Sequence, residues 1–145
     1  GGDYDVILEK ATGFSTVRSW ITFALTGDVK GAIGNPKQCY RLNGGTALLL
    51  TVTVRPGKME KILGFDDVLK MSHVIYGRQI IPEGEIIPAT GDIAQRVAAF
   101  GLLIDRDVDI QECLDSVYNT YRVLDENGNS MVISKYRYEG EKNEK

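Results

Sequence analysis

Few residues of this 145-residue chain have the types and spacings that chemistry requires. His73 is the only histidine, which excludes a catalytic triad or a metal cluster built on several imidazoles, and a lone histidine in a strand is usually structural. The clustered acidic residues fall at predicted turns or at a helix N-terminus, where carboxylates cap and contact solvent. A carboxylate pair could hold magnesium together with substrate phosphates, but the sequence selects none among Asp66, Asp67, Asp92, Asp105, Asp107 and Asp109. We therefore assign no catalytic residue and no metal ligand.

The glycines do not form a phosphate-binding loop. The spacing of Gly27, Gly31 and Gly34 is not GxGxxG, and Gly57-Lys58 is followed by methionine where a P-loop has Ser or Thr. We interpret these glycines as turn residues that need a positive φ. The chain is therefore expected to bind no cofactor by itself.

The composition is that of an ordinary globular domain, with 43% hydrophobic and 26% charged residues. A net charge of −3 gives no basic excess for a nucleic-acid partner. The uncharged stretch that most resembles a membrane span, residues 19–27, is far shorter than the roughly 20 residues that crossing requires. Cys39 and Cys113 are far apart and belong to no CxxC motif, so we expect free thiols. With no secretory signal pattern in the sequence, these features favour a cytoplasmic protein without nucleic-acid or membrane partners.

The periodicity of apolar residues predicts an α+β fold. A helix is expected at residues 14–27, with Ser15 as N-cap and Gly27 as its end. Asp109 and Glu112 form a capping box for a second helix, whose apolar stripe continues to Tyr121 and Leu124. Strands are expected at residues 47–55, 58–63, 73–79, 85–87, 97–104 and 131–138, with a glycine-rich connection at 27–45 and a mobile polar tail at 139–145. The first two of these strands should form a hairpin around Pro56-Gly57 and share a sheet with 73–79 and 97–104.

Four segments in this order resemble the C-terminal part of ATP-grasp ligases. Residues 55–64, Arg-Pro-Gly-Lys-Met-Glu-Lys-Ile-Leu-Gly, are similar to the family's Pro-Gly hairpin, and residues 81–87 to a later glycine turn. Asp92 and Arg96 resemble its Asp-Arg strand, although here three residues separate the two. The helix that begins at Asp109 resembles the closing helix, with Glu112 retained. Residues 6–27 are similar to the helix that precedes this subdomain.

The most similar members are carbamoyl-phosphate-synthase-like and L-amino-acid-ligase-like enzymes, which join a carboxylate to an amine or ammonia through an acyl phosphate made from ATP. The resemblance implies a single C-terminal-type domain at residues 1–138, a small antiparallel sheet or partial barrel with two main helices. The family's ATP-gripping lysines, glycine-rich loop and magnesium-ligating Glu and Asn precede the matched region. ATP and magnesium are thus expected on an ATP-grasp core, with this chain as its accessory module and inactive alone.

Arg96 is the candidate substrate-binding residue that the resemblance implies. A guanidinium fork suits the carboxylate or phosphate of small carboxylate and amine substrates. The alternative is an ion pair with Asp92 that fixes the start of the strand. The sequence leaves a homodimer open.

Two other classes of function remain open. Leu69-Lys70-Met71 resembles the Met-Lys-Met signature of biotinyl or lipoyl carrier modules, and Pro82-Glu83-Gly84 resembles a later turn of that fold. Leu69 replaces the first methionine, however, and the predicted helices are foreign to an all-β carrier. A free-standing domain that binds a small ligand or a protein is the other alternative.

Overall fold

A computed structural model describes residues 3–33, 45–91, 93–133 and 135–139 of the chain. These residues contain five α-helices, namely α1 (Asp3–Thr12), α2 (Thr16–Thr26), α3 (Val29–Ile33), α4 (Phe65–Leu69) and α5 (Ile110–Thr120). The strands are β1 (Thr46–Thr53), β2 (Gly57–Lys58), β3 (Lys61–Leu63), β4 (Val74–Gln79), β5 (Ile86–Ile87), β6 (Arg96–Ile104) and β7 (Arg122–Leu124). A 3-10 turn, Ile93–Gln95, leads into β6. The α+β class is confirmed, and none of the helices in these ranges is long and apolar enough to cross a membrane.

The main sheet has three antiparallel strands in the order β1-β6-β4. β6 is the central strand, with Phe100 opposite Leu50 on β1 and opposite Gly77 on β4. Its nearly continuous apolar sequence suits a strand that is covered on both faces. Two further ladders, β2–β5 and β3–β7, have two strands each, and the described strands do not close into a barrel.

Different elements cover the two faces of the main sheet. On the first, which we call the core face, the ring of Phe100 packs against those of Phe65 and Tyr121, with centroids 5.6 and 5.2 Å apart. On the second, the α1 face, Ile7 lies so close to Gly101 that a Cβ atom there would come within 2.8 Å of it. Asp3 fixes the start of α1 on this face by accepting hydrogen bonds from Tyr76 and Arg78. The sheet therefore lies between the large core on one face and α1 on the other.

The helix ends at Ser15, Gly27 and Asp109 agree with the sequence. The Ser15 hydroxyl accepts a hydrogen bond from the Arg18 N–H at 3.3 Å, and Gly27 ends α2 with a φ of 67°. The Asp109 carboxylate accepts from the Glu112 N–H at 2.9 Å. The helix expected across residues 6–27 is in fact two helices, because the chain breaks at Gly13 with a φ of 75°. The two main helices that the sequence predicts are present as α2 and α5, and α1 is an additional helix of similar length.

The predicted hairpin of residues 47–55 with 58–63 is wrong. Gly57–Lys58 pairs with β5, and Lys61–Leu63 pairs with β7. Met59, between the two short strands, is fully buried and exchanges backbone hydrogen bonds with Glu85 and Gly84. Burying that side chain directs residues 58–63 away from β1, so this segment does not join the main sheet.

The C-terminal part of the chain also differs from the prediction. α5 ends at Thr120, and Tyr121 is extended, with φ −82° and ψ 114°. Residues 122–124, at the end of the predicted helical stripe, form β7 because Val123 is buried opposite Ile62. The strand expected at 131–138 is wrong for the residues described there, where Val132 forms only an isolated bridge with Val54.

Some predictions fall outside the described residues. These are residues 34–44 of the connection expected at 27–45, with Cys39, the position of Asp92, and the tail beyond residue 139. The described start of that connection is not a loop throughout, because Val29–Ile33 form α3. The other cysteine, Cys113, is a buried free thiol, and burial raises its pKa.

Gly64 provides a test of the tight join between β3 and α4. It has a φ of 78°, and a Cβ atom at this position would overlap the carbonyl oxygen of Thr120. Gly84 is a matched control, because its φ is 91° but nothing lies within 4 Å of its would-be Cβ. Gly84→Ala should lower the free energy of unfolding by about 1–2 kcal/mol, the cost of the left-handed conformation. Gly64→Ala should lower it by roughly 3 kcal/mol or more, because overpacking is added. Equal losses in urea denaturation would contradict this account.

Candidate functional site

The site is built on a β-bulge at Val97. Val52 lies opposite Ala98, but the next residue of β1, Thr53, lies opposite Arg96, so Val97 is an extra residue in β6. Side chains alternate between the faces of a strand, and directly paired residues of an antiparallel sheet share a face. Without the bulge, Arg96 would point to the core face with Ala98. The bulge instead places it on the α1 face, beside Thr53.

Three donors hold the bulge in place by binding the carbonyl oxygen of Val97. The backbone N–H groups of Ile80 and Ile81 donate to it at 2.9 and 3.3 Å. The side-chain Nε2 of Gln79 donates to it at 2.9 Å and also to the carbonyl oxygen of Ile81 at 2.7 Å. A carbonyl group bound in this way cannot rotate without losing several hydrogen bonds, so the extra residue stays at Val97.

Two further residues fix this arrangement from either side. The Tyr121 hydroxyl donates to Oε1 of Gln79 at 3.0 Å, which orients the amide so that its Nε2 faces Val97. Burial raises the pKa of Tyr121 to about 12, although the bond with Gln79 opposes the rise, so the hydroxyl keeps its proton near neutral pH. On the β1 side, the buried Gln95 binds Val54 twice. Its side-chain Nε2 donates to the Val54 carbonyl oxygen at 2.8 Å, and the Val54 N–H donates to the backbone carbonyl oxygen of Gln95 at 3.0 Å. The backbone that carries Arg96 is therefore held on both edges.

Arg96 lies in a row of four residues across the α1 face, which we call the Arg96 row: Ile133, Thr53, Arg96 and Ile80. Arg96 is paired with Thr53, and the Ile133 N–H donates to the carbonyl oxygen of Thr53 at 3.1 Å. Ile80 is the residue directly after β4, in which Arg78 contacts Asp3 on the α1 face and Gln79 points to the core face, so continued alternation assigns Ile80 to the α1 face. Arg96, Ile80 and Ile133 are all exposed to solvent. The row is therefore an open strip with one cation among apolar side chains.

The two arginines on this face differ in their charge partners. The guanidinium of Arg78 lies 2.8 Å from Oδ2 of Asp3 and is thereby neutralised. Among the residues that the structure describes, no carboxylate forms an ion pair with Arg96. The alternative role for Arg96 involves Asp92, which lies outside those residues. On the described part of the α1 face, Arg96 is thus the arginine that is available to bind an anion.

The other sequence candidates lie elsewhere or have structural partners. His73 bonds through its backbone carbonyl to the N–H of Leu103, seven residues along β6 from Arg96, a distance of roughly 20 Å. Its Nε2 lies 3.3 Å from the Ser116 hydroxyl, and burial lowers its pKa. Lys70 follows α4 and lies 2.9 Å from Asp67 in an exposed ion pair that raises the lysine pKa. The helices around it contradict an all-β carrier.

Sequence reasoning missed the residues that position Arg96. Gln79 precedes Ile80-Ile81 and Gln95 follows Ile93-Ala94. A glutamine beside apolar residues can indicate a buried amide, and a buried amide is normally hydrogen-bonded. The bulge itself has no sequence signal here, because Val97 is as apolar as its neighbours.

The fold resembles part of a known ligase. No protein-family model matches the chain, and no curated protein matches it. Among solved structures, the L-amino acid ligase from Bacillus licheniformis matches with a TM-score of 0.65 and 16% sequence identity. The match covers 85% of this chain and 29% of the ligase chain. The resemblance to a part of an ATP-grasp ligase is therefore confirmed for the fold, and the chain spans well under half of that enzyme's length.

The link from Tyr121 through Gln79 to Val97 gives a testable coupling. Gln79→Met keeps the size of the side chain but removes the donor to Val97, which should lower the free energy of unfolding by roughly 2 kcal/mol. Tyr121→Phe removes one hydrogen bond and should cost about 1 kcal/mol. Because the two share a bond, the double variant should lose less than the sum of the two losses. Simple additivity in urea denaturation would show that this chain of hydrogen bonds does not act as a unit.

Proposed function

We propose that this chain is an accessory module of an ATP-dependent ligase that joins a carboxylate to an amine or ammonia. The observation that carries the proposal is the fold likeness, which extends over 85% of this chain but only 29% of the L-amino acid ligase. A ligase of this kind needs a core that binds ATP and magnesium, and the proposal assigns both to that core. This chain then contributes a surface for packing and a contact to the substrate.

A surface suited to packing is formed by α2 and α3, which we call the apolar arm. Neither helix has a buried residue. Trp20 is 72% exposed and Leu25 is 81% exposed, and other apolar side chains point to solvent on several sides of α2. A helix that is apolar around most of its circumference is normally covered by protein. With 11 residues, α2 is also too short to cross a membrane.

The apolar arm also contains a groove with a volume of about 320 Å³. Its lining is almost entirely apolar and includes Phe14, Trp20, Phe23, Val29 and Ile33. A groove of this kind can accept an apolar ridge from a partner, in the manner of helix packing. In our proposal the occupant of the groove is the ATP-grasp core. In the L-amino acid ligase, the part that this chain does not match is larger than the part that it does.

The Arg96 row is the contact that the module would offer to substrate. Ligand sites are usually concave, whereas this row is an open strip. The proposal therefore requires the core to supply the opposite wall, and the site is complete only when the two parts are packed together. The guanidinium of Arg96, on a backbone held by hydrogen bonds, can then bind a carboxylate or stabilise charge that develops on an acyl phosphate.

The position of the only tryptophan in the chain allows a direct test of packing. Trp20 lies on the apolar arm, so its replacement by 5-hydroxytryptophan gives a fluorophore that can be excited apart from the tryptophans of a partner. Adding the ATP-grasp core of the ligase should shift its emission to shorter wavelengths, because packing removes the indole from water.

Two exposed apolar residues supply matched variants for this titration. Leu25→Ser, on the apolar arm, should weaken the interaction by tenfold or more, in line with the burial of one large apolar side chain. Ile86→Ser alters a residue that is 74% exposed on β5, away from the arm, and should leave the affinity unchanged. An emission spectrum that does not respond to the core would contradict the proposal. A shift that depends on the concentration of the chain alone would show instead that a second copy covers the arm.

A further inference from the structure

We infer that the outer edge of β1 pairs with the same edge of a second copy of this chain, so that the main sheet continues across a two-fold axis. β1 is an edge strand, because β6 lies on one side of it and no strand of the described residues follows it on the other. The inference goes beyond the proposed function, since it concerns a contact between two copies of the chain and involves neither the ATP-grasp core nor a substrate.

The outer edge of β1 offers backbone groups that can bind another strand. Along a strand, the N–H and C=O groups of successive residues point alternately to the two sides. Those of Val54 bond to Gln95 on the β6 side. By alternation, the groups of Ala47, Leu49 and Thr51 point outward, and no hydrogen bond from the part of the chain that the structure describes reaches them. The main chain of another strand can satisfy all of them at once.

The sequence of β1 lacks the features that normally keep edge strands apart. Edge strands of monomeric proteins are usually short, or they carry a charge or a proline. β1 has eight residues, and the stretch 46–54 contains neither a charged residue nor a proline. Such a strand does not repel a copy of itself, and two identical strands in antiparallel orientation match each other's donors and acceptors. The most common homo-oligomers are two-fold dimers. The composition of β1 therefore favours a second copy as the occupant of the edge.

The C-terminal segment occupies one end of this edge and then leaves it. The Ile133 N–H donates to the carbonyl oxygen of Thr53 at 3.1 Å, which shows that the edge accepts an antiparallel neighbour. Farther along, the Tyr136 N–H donates to the hydroxyl of Tyr118 on α5 at 3.0 Å. The described part of the segment therefore leaves the edge at residues 45–51 to another strand.

The position of Ile133 selects the register of the pair. An axis at Leu48 places this residue opposite Leu48 of the second copy, in a non-hydrogen-bonded pair. Ala47 and Leu49 of one copy then exchange hydrogen bonds with Leu49 and Ala47 of the other. The start of the second β1 stays clear of Ile133 in this register, whereas an axis nearer to the C-terminal end of β1 would bring the two together.

A groove beside the edge provides space for apolar side chains of the second copy. It has a volume of about 240 Å³ and is lined by Leu48, Leu49, Leu50, Thr51, Leu114 and Tyr136. Leu48 packs against the core, and paired residues of an antiparallel sheet share a face, so Leu48 of the second copy lies on the groove side. Two paired edges bury less surface than a standard interface, so we expect a dissociation constant in the roughly micromolar range or weaker.

A disulfide across the axis tests the predicted register. Leu48→Cys places two cysteines in a non-hydrogen-bonded pair, whose Cα atoms lie about 4.5 Å apart and within reach of a disulfide. Oxidised glutathione should then link two copies, and peptide mass spectrometry should locate the bond between residue 48 of both. Thr46→Cys, on the same strand and face, is the control. Its two copies would lie roughly 13 Å apart and should stay unlinked.

Two variants at Ala47 test the backbone pairing. The outward N–H of this residue takes no part in the ladder with β6, so Ala47→Pro removes the donor and should retain the fold, which thermal melting checks. Because the donor is lost at both symmetry-related positions, sedimentation equilibrium should show self-association weakened by roughly tenfold or more. Ala47→Val keeps the N–H and is the matched control, which should associate like the unchanged chain.

Four results would overturn the inference. They are sedimentation as a single copy at roughly millimolar concentration, equal linking of Thr46→Cys and Leu48→Cys, self-association that Ala47→Pro leaves unchanged, and self-association that Leu25→Ser abolishes, which would place the contact on the apolar arm. These measurements use the chain alone, so they can fail while the Trp20 titration with the core succeeds.

Discussion

The hydrogen bonds to the carbonyl oxygen of Val97 determine which face of the sheet carries Arg96. Side-chain alternation would otherwise put this arginine among the apolar side chains of the core face, where an unpaired charge is very costly. The extra residue shifts the register by one, and Gln79, Ile80 and Ile81 hold it there through three donors. Tyr121 continues the chain of hydrogen bonds toward α5 by orienting the amide of Gln79. The backbone at the start of β6 is thus tied to the packed core, although the side chain of Arg96 faces solvent.

The α1 face is covered at one end and open at the other. α1 packs over Gly101, where the absence of a side chain allows Ile7 to approach, and Asp3 ties its first turn to β4. The Arg96 row lies on the part of this face that α1 does not cover. The apolar arm is a second exposed region, and neither of its helices has a buried residue. The apolar arm exposes several large apolar side chains, including Trp20 and Leu25. Large exposed apolar patches usually mark an interaction surface, which is the role that we propose for the arm.

The parts of the fold that could be predicted from sequence are those with local causes. The caps at Ser15 and Asp109 depend on side chains next to the backbone groups they bind, and the apolar run of β6 is long enough to indicate a central strand. The hairpin failed because Pro56-Gly57 indicates a turn but does not determine the partner strand, which the burial of Met59 decides. The predicted end of α5 is wrong because the helical stripe continues to Leu124, which belongs instead to β7, a strand fixed by the burial of Val123. Arg96 was named from a family resemblance, whereas its exposure depends on a bulge that no residue type reveals.

The central claim is that Arg96 contacts the substrate in an assembled ligase. The most direct test is the turnover of the ligase that carries this chain when Arg96 is replaced by lysine, with Arg122→Lys as the control. Arg122 is also exposed at the start of a strand, but that strand, β7, belongs to another sheet. Lysine keeps the charge and loses the planar fork, so Arg96→Lys should reduce kcat/KM by roughly tenfold or more at an unchanged melting temperature. The control should keep its activity. Full turnover in Arg96→Lys, and likewise in Arg96→Ala, would contradict the claim and leave Arg96 with a structural role.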